Sequence, residues 1–177
     1  MHLQLNRCTI RPPRADDSPA LAKHANNYQV WRNLRDFMPH PYSLADAEEY
    51  ISRCMADQRP TKFVIEAEGE AAGSIGLVLK QDIERIGAEL GYWLAEPYWG
   101  RGILSEAVPA FTEWAVREFE LLRVEAIVFE WNPASARVLE KAGYVREGTL
   151  RRSAVKDGQV IDRWVYAYVV GEVGSGQ

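Results

Sequence analysis

A strand, a Gly-x-Gly turn and the start of a helix follow one another within residues 89–107, and this run constrains the fold more than any other. Residues 88–95 are apolar enough for a buried strand, and apolar residues recur at helical spacing from Ile103 onward. Gly100 and Gly102 lie between them and have no side chains, so the backbone can come close to a ligand. The first amides of a helix have no partners within it. The run therefore predicts an anion cradle, suited to a phosphate or a diphosphate.

Apolar periodicity and turn residues extend this pattern along the chain. The predicted helices are 17–26, a short one within 28–37, 43–58, 103–119 with Pro109 expected to kink it, and 133–142. Asp17 or Ser18 is expected to cap the first of them, and Ser43 with Asp46 resembles a capping box at the start of 43–58. Hairpin turns are expected around Gly69 and at Asp157–Gly158. The predicted strands are 8–11, 62–67, 73–80, 88–95, 124–129, 146–152 and 160–170. This order predicts a mixed α/β fold with one central sheet. We expect a single domain over residues 1–170 and a flexible, glycine-rich tail over 171–177.

The composition limits the classes of function. The chain has 177 residues, is 47% hydrophobic and carries a formal net charge of -4, which is typical of a soluble globular protein and argues against a nucleic-acid partner. No apolar stretch is long enough to span a bilayer, and the first residues lack the apolar region of a secretory signal. We therefore predict a cytoplasmic protein without a membrane partner. Cys8, Cys54 and the three histidines show no ligand spacing, so no metal is expected.

Several short motifs occur in a fixed order along nearly the whole chain. They are Met38–Tyr42, Glu89–Trp93, Tyr98–Gly102, Glu106–Ala107, Asn132–Tyr144, Asp157–Gly158 and Asp162–Tyr166. In this order and spacing they resemble the GNAT superfamily of acyl-CoA-dependent N-acetyltransferases, and within it the RimJ/RimL-like branch. The resemblance implies a mostly antiparallel sheet flanked by helices, with two strands splayed at the cofactor site. It also implies acetyl-CoA as the cosubstrate and a primary amine as the acceptor.

The resemblance assigns the binding of the cosubstrate to residues 99–104, to the backbone at Trp93 and Leu94, and to the helix-capping residue Asn132. The superfamily's motif is Gln/Arg-x-x-Gly-x-Gly/Ala; Gly100 and Gly102 match it, and Pro97 stands where Gln or Arg is usual. Backbone amides would hold the diphosphate of CoA, and those expected to do so belong to Trp99, Gly100, Arg101, Gly102, Ile103 and Leu104. Backbone groups of Trp93 and Leu94 would hold the pantetheine arm. Asn132 caps the following helix and is implied to contact the pantetheine amides as well.

Gly91 stands in the middle of an apolar strand, where glycine is uncommon. One interpretation is that the strand splays here and the pantetheine arm lies beside it. The other is that Gly91 makes room for a bulky neighbour in the core.

Two residues are candidates for proton transfer. An amine must be neutral to attack a thioester, and the resemblance places Glu89 where family members often have the general base. The resemblance to RimJ/RimL-like proteins implies that Ser135 protonates the departing CoA thiolate, directly or through a water. Many other GNAT members instead use a tyrosine at the position of Leu139. The alternatives are a solvated glutamate and an ordinary serine in the first turn of a helix.

The sequence says less about the residues that contact the amine acceptor. The aromatic and histidine residues expected to line it are Trp31, Phe37, His40 and Tyr42, although most aromatic side chains of such a chain must fill the core. The acceptor is expected to be a protein N-terminal amine or a small-molecule amine such as a polyamine. A second hypothesis is a GNAT-like module that binds CoA or another ligand without turnover. The apolar C-terminal strands are also compatible with a homodimer.

Overall fold

The computed structural model describes residues 1–171 and contains one eight-stranded sheet. The strands are β1 Leu3–Gln4, β2 Thr9–Arg11, β3 Lys62–Ala67, β4 Glu70–Leu79, β5 Gly87–Leu94, β6 Arg123–Phe129, β7 Val145–Lys156 and β8 Gln159–Val169. Apart from Gly171, the predicted tail lies outside the described residues.

The helices agree closely with the periodicity of the sequence. They are α1 Ser18–Ala25, α2 Tyr28–Trp31, α3 Leu44–Ala56, α4 Ile103–Phe119 and α5 Pro133–Lys141, with short 3-10 turns at Ala15–Asp17, Asp82–Glu84 and Glu96–Tyr98. The predicted capping box of α3 is confirmed, because Ser43 and Asp46 bond each other's backbone amides. The helix α4 continues through Pro109.

The strand order is β1-β2-β3-β4-β5-β6-β8-β7. The pairs β1–β2, β2–β3, β3–β4, β6–β8 and β7–β8 are antiparallel, and β5–β6 is parallel. The expectation of a mixed, mostly antiparallel sheet flanked by helices is confirmed. Both predicted hairpin turns are present, since Gly69 and Gly158 have φ angles of 84° and 72°, which glycine adopts without strain.

The contacts of the chain divide it into two compact units. Among the described residues, one comprises 1–76 and 92–107, and the other comprises 77–91 and 108–171. The core of the first unit is a cluster of buried side chains from α1, α3, β3, β4 and the loop before α3, namely Leu21, Ala25, Tyr42, Ala47, Ile51, Val64 and Ala71. In the second unit the fully buried side chains include Phe111, Ala115, Val124 and Leu139. A single domain over residues 1–170 stays a prediction.

The start of α1 differs from the expected cap. Sequence pattern predicts that Asp17 or Ser18 caps the helix, yet Asp17 makes no side-chain bond to the first turn of α1. Its carboxylate instead accepts two hydrogen bonds from the Arg11 guanidinium, at 2.8 and 2.6 Å, and one from the Arg14 amide at 2.7 Å. Arg11 also donates to Glu66 at 2.5 Å. Asp17 pairs with the charged Arg11 of β2 rather than capping α1, and both partners of this charge-assisted interaction are buried.

The smaller differences have simple physical reasons. β1 is only two residues long, too short to give a periodic pattern. β4 begins at Glu70 rather than at 73, because hairpin pairing with Ala67 extends it toward the turn. Among residues 1–171, no helix has both the length and the apolar character needed to cross a bilayer.

Replacement of Asp17 by alanine should lower the free energy of unfolding by about 3 kcal/mol, because it leaves the buried Arg11 charge with only part of its compensation. Urea unfolding measures the change, with the exposed neighbour Asp16→Ala as the matched control. The Asp16 variant should stay within about 0.5 kcal/mol of the wild type. Equal effects of the two changes would show that the buried pair does not stabilise the fold.

Candidate active site

β5 and β6 pair over a short stretch and then part. Their parallel register joins Gly87–Glu89 to Arg123–Glu125 and ends there. Neither strand ends with it, since β5 continues to Leu94 and β6 continues to Phe129. β6 stays paired with β8 over its whole length, so it is the β5 side of β6 that loses its partner. This is the splay that the resemblance predicts.

Gly91 lies on β5 just beyond the point where the pairing stops. It is exposed, and a Cβ atom built on it would have no described atom within 4 Å. The interpretation that Gly91 makes room for a bulky core neighbour is therefore wrong. Leu90 and Leu94 on the opposite face of β5 are buried, at 3% and 4% exposed, as strand alternation requires. On the face that carries both residues, Gly91 is exposed and Glu89 is half-buried.

Glu89 is half-buried at the last paired position of β5, directly opposite Glu125 of β6. Two like charges at such a pair would repel each other. Glu125 is compensated by Lys80 at 2.5 Å and Arg123 at 2.7 Å. Burial disfavours the charged form of Glu125, but the hydrogen bonds from Lys80 and Arg123 outweigh it and lower the pKa of this carboxyl. The neighbour of Glu89 is thus an ionised carboxylate whose charge is neutralised locally.

Asn132 caps α5, as predicted. Its Oδ1 accepts a hydrogen bond from the Ser135 amide at 3.2 Å, and its own amide donates to the Phe129 carbonyl at 2.9 Å. Over residues 1–171 the Asn132 Nδ2 group has no hydrogen-bond partner. The cap therefore occupies the oxygen and leaves the amino group available to a ligand carbonyl. Ser135 is half-buried in the first turn, and Leu139 is fully buried.

The Gly-x-Gly turn has the backbone conformation that requires glycine. Gly100 and Gly102 have φ angles of 73° and 77°, in the left-handed region. α4 begins immediately afterwards at Ile103, and the Glu106 amide donates to the Gly102 carbonyl at 3.3 Å. The turn and the unpartnered first amides of α4 form the predicted strand–turn–helix arrangement, with the polarity that favours an anion.

Side chains distant in sequence hold this turn. The Tyr98 hydroxyl donates to Glu70 at 2.6 Å, and the same carboxylate oxygen lies 3.0 Å from His24 Nε2. The hydrogen bond to the Glu70 carboxylate raises the pKa of Tyr98 to about 12. Asn27 donates to Glu96 at 2.7 Å. Sequence reasoning missed these contacts, because nothing in the local pattern links β4 or α1 to residues 96–98.

The side chain of Arg101 contacts other residues of this chain. It forms an ion pair with Glu68 and lies over the Tyr98 ring, with its Cζ atom 5.3 Å from the ring centroid. The expected role of Arg101 in binding the diphosphate of CoA is therefore that of its backbone amide.

The backbone of Trp93 and Leu94 is placed by close packing. A side chain at Gly73 of β4 would collide with the Trp93 carbonyl, so that carbonyl faces β4. The Leu94 carbonyl accepts a hydrogen bond from the Trp99 indole at 2.7 Å. This bond ties the end of β5 to the Gly-x-Gly turn.

The four residues expected at the acceptor side do not share one environment. Trp31 and His40 stack with their ring centroids 5.2 Å apart, and Tyr28 lies 5.9 Å from Trp31. Phe37 is 86% exposed. Tyr42 instead belongs to the core cluster of the first unit, where burial raises its pKa to about 12. Tyr42 is thus a core residue, and the other three remain candidates.

No group of three or more His, Cys, Asp or Glu side chains within the described part of the chain is arranged to hold a metal ion.

Comparison with known proteins identifies the family. The model of the acetyltransferase (GNAT) domain matches residues 7–145. The chain belongs to the GNAT acetyltransferases. It is similar to YdaF of Bacillus subtilis, a proposed ribosomal N-acetyltransferase, at 31% identity over 93% of this chain and 92% of YdaF. It is also similar to the spermidine N(1)-acetyltransferase of Escherichia coli, at 25% identity over 85% of this chain and 79% of that enzyme.

Among solved structures, the GNAT chain is similar to Mycobacterium smegmatis RimJ in complex with a CoA disulfide. The TM-score is 0.83, the identity is 25%, and the match covers 96% of this chain and 85% of RimJ. The protein is an acyl-CoA-dependent N-acetyltransferase, which acetylates amines. Two features of its own structure fit such a cosubstrate: the left-handed glycine turn before α4 and the uncovered backbone at Gly91.

Replacement of Gly91 by valine should weaken CoA binding at least about tenfold while leaving the melting temperature nearly unchanged, because the new side chain enters open space that the pantetheine arm needs. Isothermal titration with CoA and a thermal melt measure the two effects. Gly148→Val is the matched control, since Gly148 is also a strand glycine with no described atom near its Cβ position. Undiminished CoA binding by the Gly91 variant would contradict a ligand beside β5.

Proposed function

We propose that this GNAT enzyme transfers the acetyl group of acetyl-CoA to the α-amino group of a protein N-terminus, by direct attack of the amine. The parting of β5 and β6 beside Glu89, with Gly91 uncovered, is the observation that carries the proposal. The similarity to YdaF supports a protein acceptor, and the similarity to the spermidine enzyme makes a polyamine the second acceptor class.

Glu89 is the general base of the proposed reaction. An alkyl amine is mostly protonated at neutral pH, so a carboxylate must remove one proton before or during attack on the thioester carbonyl. Glu89 is half-buried, two residues before the exposed Gly91 on β5, and the charge of the adjacent Glu125 is compensated by Lys80 and Arg123. A proton can pass from the amine to Glu89 directly or through a water.

The cosubstrate is held chiefly by backbone groups in this proposal. The amides of residues 99–104 bind the diphosphate at the start of α4. The Leu94 amide binds the pantetheine arm, because it belongs to the same trans peptide as the Trp93 carbonyl, which faces β4, and therefore points away from β4. The Nδ2 group of Asn132 donates to a pantetheine carbonyl while its Oδ1 keeps the cap of α5.

Ser135 completes the proton balance. The carbon–nitrogen bond forms as the carbon–sulfur bond breaks. The nitrogen then loses its second proton, which passes through the Ser135 hydroxyl, or through a water held there, to the departing thiolate, so that Ser135 ends with its own proton restored. CoA thiolate is a fair leaving group, so this step needs only modest assistance.

The protein's own thiols do not suit an acyl-enzyme. Cys8 and Cys54 are both free and buried, at 5% and 8% exposed. Burial raises the pKa of both thiols, that of Cys8 to about 11. A nucleophilic cysteine requires the opposite shift, toward the thiolate. Direct attack by the amine is therefore favoured over a covalent intermediate.

The acceptor is proposed to approach the loop before α3. Phe37 has an almost fully exposed ring, and the stacked pair Trp31 and His40 lies in the same segment. Exposed aromatic rings of this kind are enriched at interfaces with peptides. A protein N-terminus supplies both an amine and apolar side chains for such a surface.

A homodimer remains part of the proposal. β7 is an edge strand of the sheet, and three of its apolar side chains are exposed, namely Val145, Leu150 and Val155. An open edge of this kind is suited to pairing with a second copy.

Release of free CoA thiol from acetyl-CoA tests the acceptor class. Peptides with free N-termini, polyamines with amino acids, and aminoglycosides are offered as three separate pools. Turnover above the hydrolysis blank with the peptide pool supports the proposal. Turnover only with polyamines would replace the protein acceptor by the second class. Acetyl-CoA binding without turnover in any pool would show that none of the peptides and small amines offered is an acceptor.

Replacement of Glu89 by glutamine should lower kcat about 100-fold or more, because the base is lost while the size of the side chain is kept. The loss should shrink as the pH is raised, since a larger fraction of the amine is then neutral without help. Steady-state kinetics from pH 7 to pH 10 measure this, with Glu113→Gln on the exposed face of α4 as the control. A Glu89 variant with wild-type kcat would exclude this residue as the base.

Replacement of Ser135 by alanine should lower kcat by roughly tenfold, less than the Glu89 change, because water can also protonate the thiolate. Asn132 still caps the Ser135 backbone amide in this variant, so stability should be retained. Kinetics with the same acceptor and a thermal melt separate the two effects. An unchanged kcat would assign the proton to water alone.

Replacement of Phe37 by alanine should raise the KM for the acceptor at least about threefold and leave the KM for acetyl-CoA unchanged, since the ring has few contacts to lose within the protein. Ile83→Ala is the control, because Ile83 is similarly exposed, at 82%. A KM for the acceptor that does not respond to the Phe37 change would place the acceptor elsewhere.

A further inference from the structure

Arg7, in the short loop between β1 and β2, lies against the Gly-x-Gly turn. A Cβ atom at Gly102 would lie 3.2 Å from the Arg7 Nε atom. The same Nε is 2.9 Å from Glu106 Oε1, and the Arg7 backbone amide donates to Glu106 Oε2 at 3.1 Å. Two separate groups of Arg7 thus bond one carboxylate in the first turn of α4.

These contacts fix Arg7 but use only part of its guanidinium. Nε is engaged by Glu106, whereas Nη1 and Nη2 have no acceptor among residues 1–171. The side chain is 57% exposed, so the two amino groups are open to solvent. The next residue, Cys8, is buried, and the Leu5 amide bonds the Cys8 carbonyl at 2.9 Å, which holds the loop in place.

The negative charge of Glu106 at the start of α4 has to be offset by a cation if a diphosphate is to bind there. Glu106 places a carboxylate in the first turn, and an unneutralised negative charge there would repel a diphosphate bound to the same amides. Arg7 neutralises it. The side chain that the superfamily motif would place at position 97 is absent, because Pro97 has neither charge nor donor.

We propose that Arg7 binds the diphosphate of CoA through its two free amino groups, with Glu106 as the positioning residue that orients the guanidinium over Gly102. This inference rests on the proposed binding of the cosubstrate at the start of α4. A fork of two parallel donors matches two phosphate oxygens, which a single amide or a lysine cannot do equally well. Arg7, held by Glu106, thereby supplies from the loop between β1 and β2 the positively charged donor that the turn lacks at Pro97.

Isothermal titration of the full chain tests the proposal with three probes: CoA, dephospho-CoA, which lacks the 3′-phosphate, and pantetheine, which lacks every phosphate. Arg7→Gln should raise the Kd of both CoA and dephospho-CoA about tenfold, which equals about 1.4 kcal/mol, and leave the Kd of pantetheine unchanged. Arg53→Gln is the matched control, because Arg53 is likewise an exposed arginine paired with a glutamate, Glu49 of α3. It should leave all three constants unchanged.

The remaining outcomes are distinct. A tenfold loss for CoA that disappears with dephospho-CoA would overturn the assignment to the diphosphate in favour of the 3′-phosphate. An equal loss for pantetheine, or a lower melting temperature without a change in any Kd, would show that the pair only fastens the N-terminal loop. Arg7→Lys should recover part of the affinity by restoring charge without the fork. Absence of CoA binding by the wild type would instead refute the proposed cosubstrate site itself.

Discussion

The parting of two parallel strands is the constraint on which the rest of this structure depends. β5 and β6 share only the register from Gly87–Arg123 to Glu89–Glu125, and then each continues without the other. A strand edge inside a sheet presents peptide groups that need partners, so an opened strand pair is costly unless something else occupies the gap. β6 is held by β8 along its full length, and the end of β5 is held by the Trp99–Leu94 bond and by close packing of Trp93 against Gly73.

Electrostatic compensation accompanies that geometry. Glu125, opposite Glu89, is neutralised by Lys80 and Arg123, and Glu106, beside the glycine turn, is neutralised by Arg7. Glu125 lies next to the proposed base, Glu89, and Glu106 lies next to the proposed diphosphate site. An uncompensated negative charge would be unfavourable at both places. The Arg11–Asp17 pair follows the same rule in the core, where burial makes an unpaired charge expensive.

The sequence predicted the elements that local chemistry decides. Helical periodicity defined α4 from Ile103 to Phe119, Ser43 and Asp46 gave the capping box, and Asn132–Pro133 gave the start of α5. It also indicated the glycine turn, because only glycine adopts positive φ without strain. The prediction for Asp17 was wrong, since the helix-start pattern considers only the residues that follow, whereas the carboxylate bonds Arg11 and Arg14, which precede it. Tyr42 was expected at the acceptor side and lies in the core, because an aromatic residue in a loop carries no sign of the direction in which it points.

Family membership, the α/β class and the anion-binding turn were thus determined by the sequence by itself, since each depends on residue types at fixed spacing. The tertiary structure decided where β5 and β6 stop pairing, that Gly91 faces open space, and that Arg7 meets Glu106 across 99 residues of chain. The physical reason is that hydrogen-bond register and long-range ion pairs are settled by how separate segments pack. Local propensity carries no information about a partner that is distant along the chain.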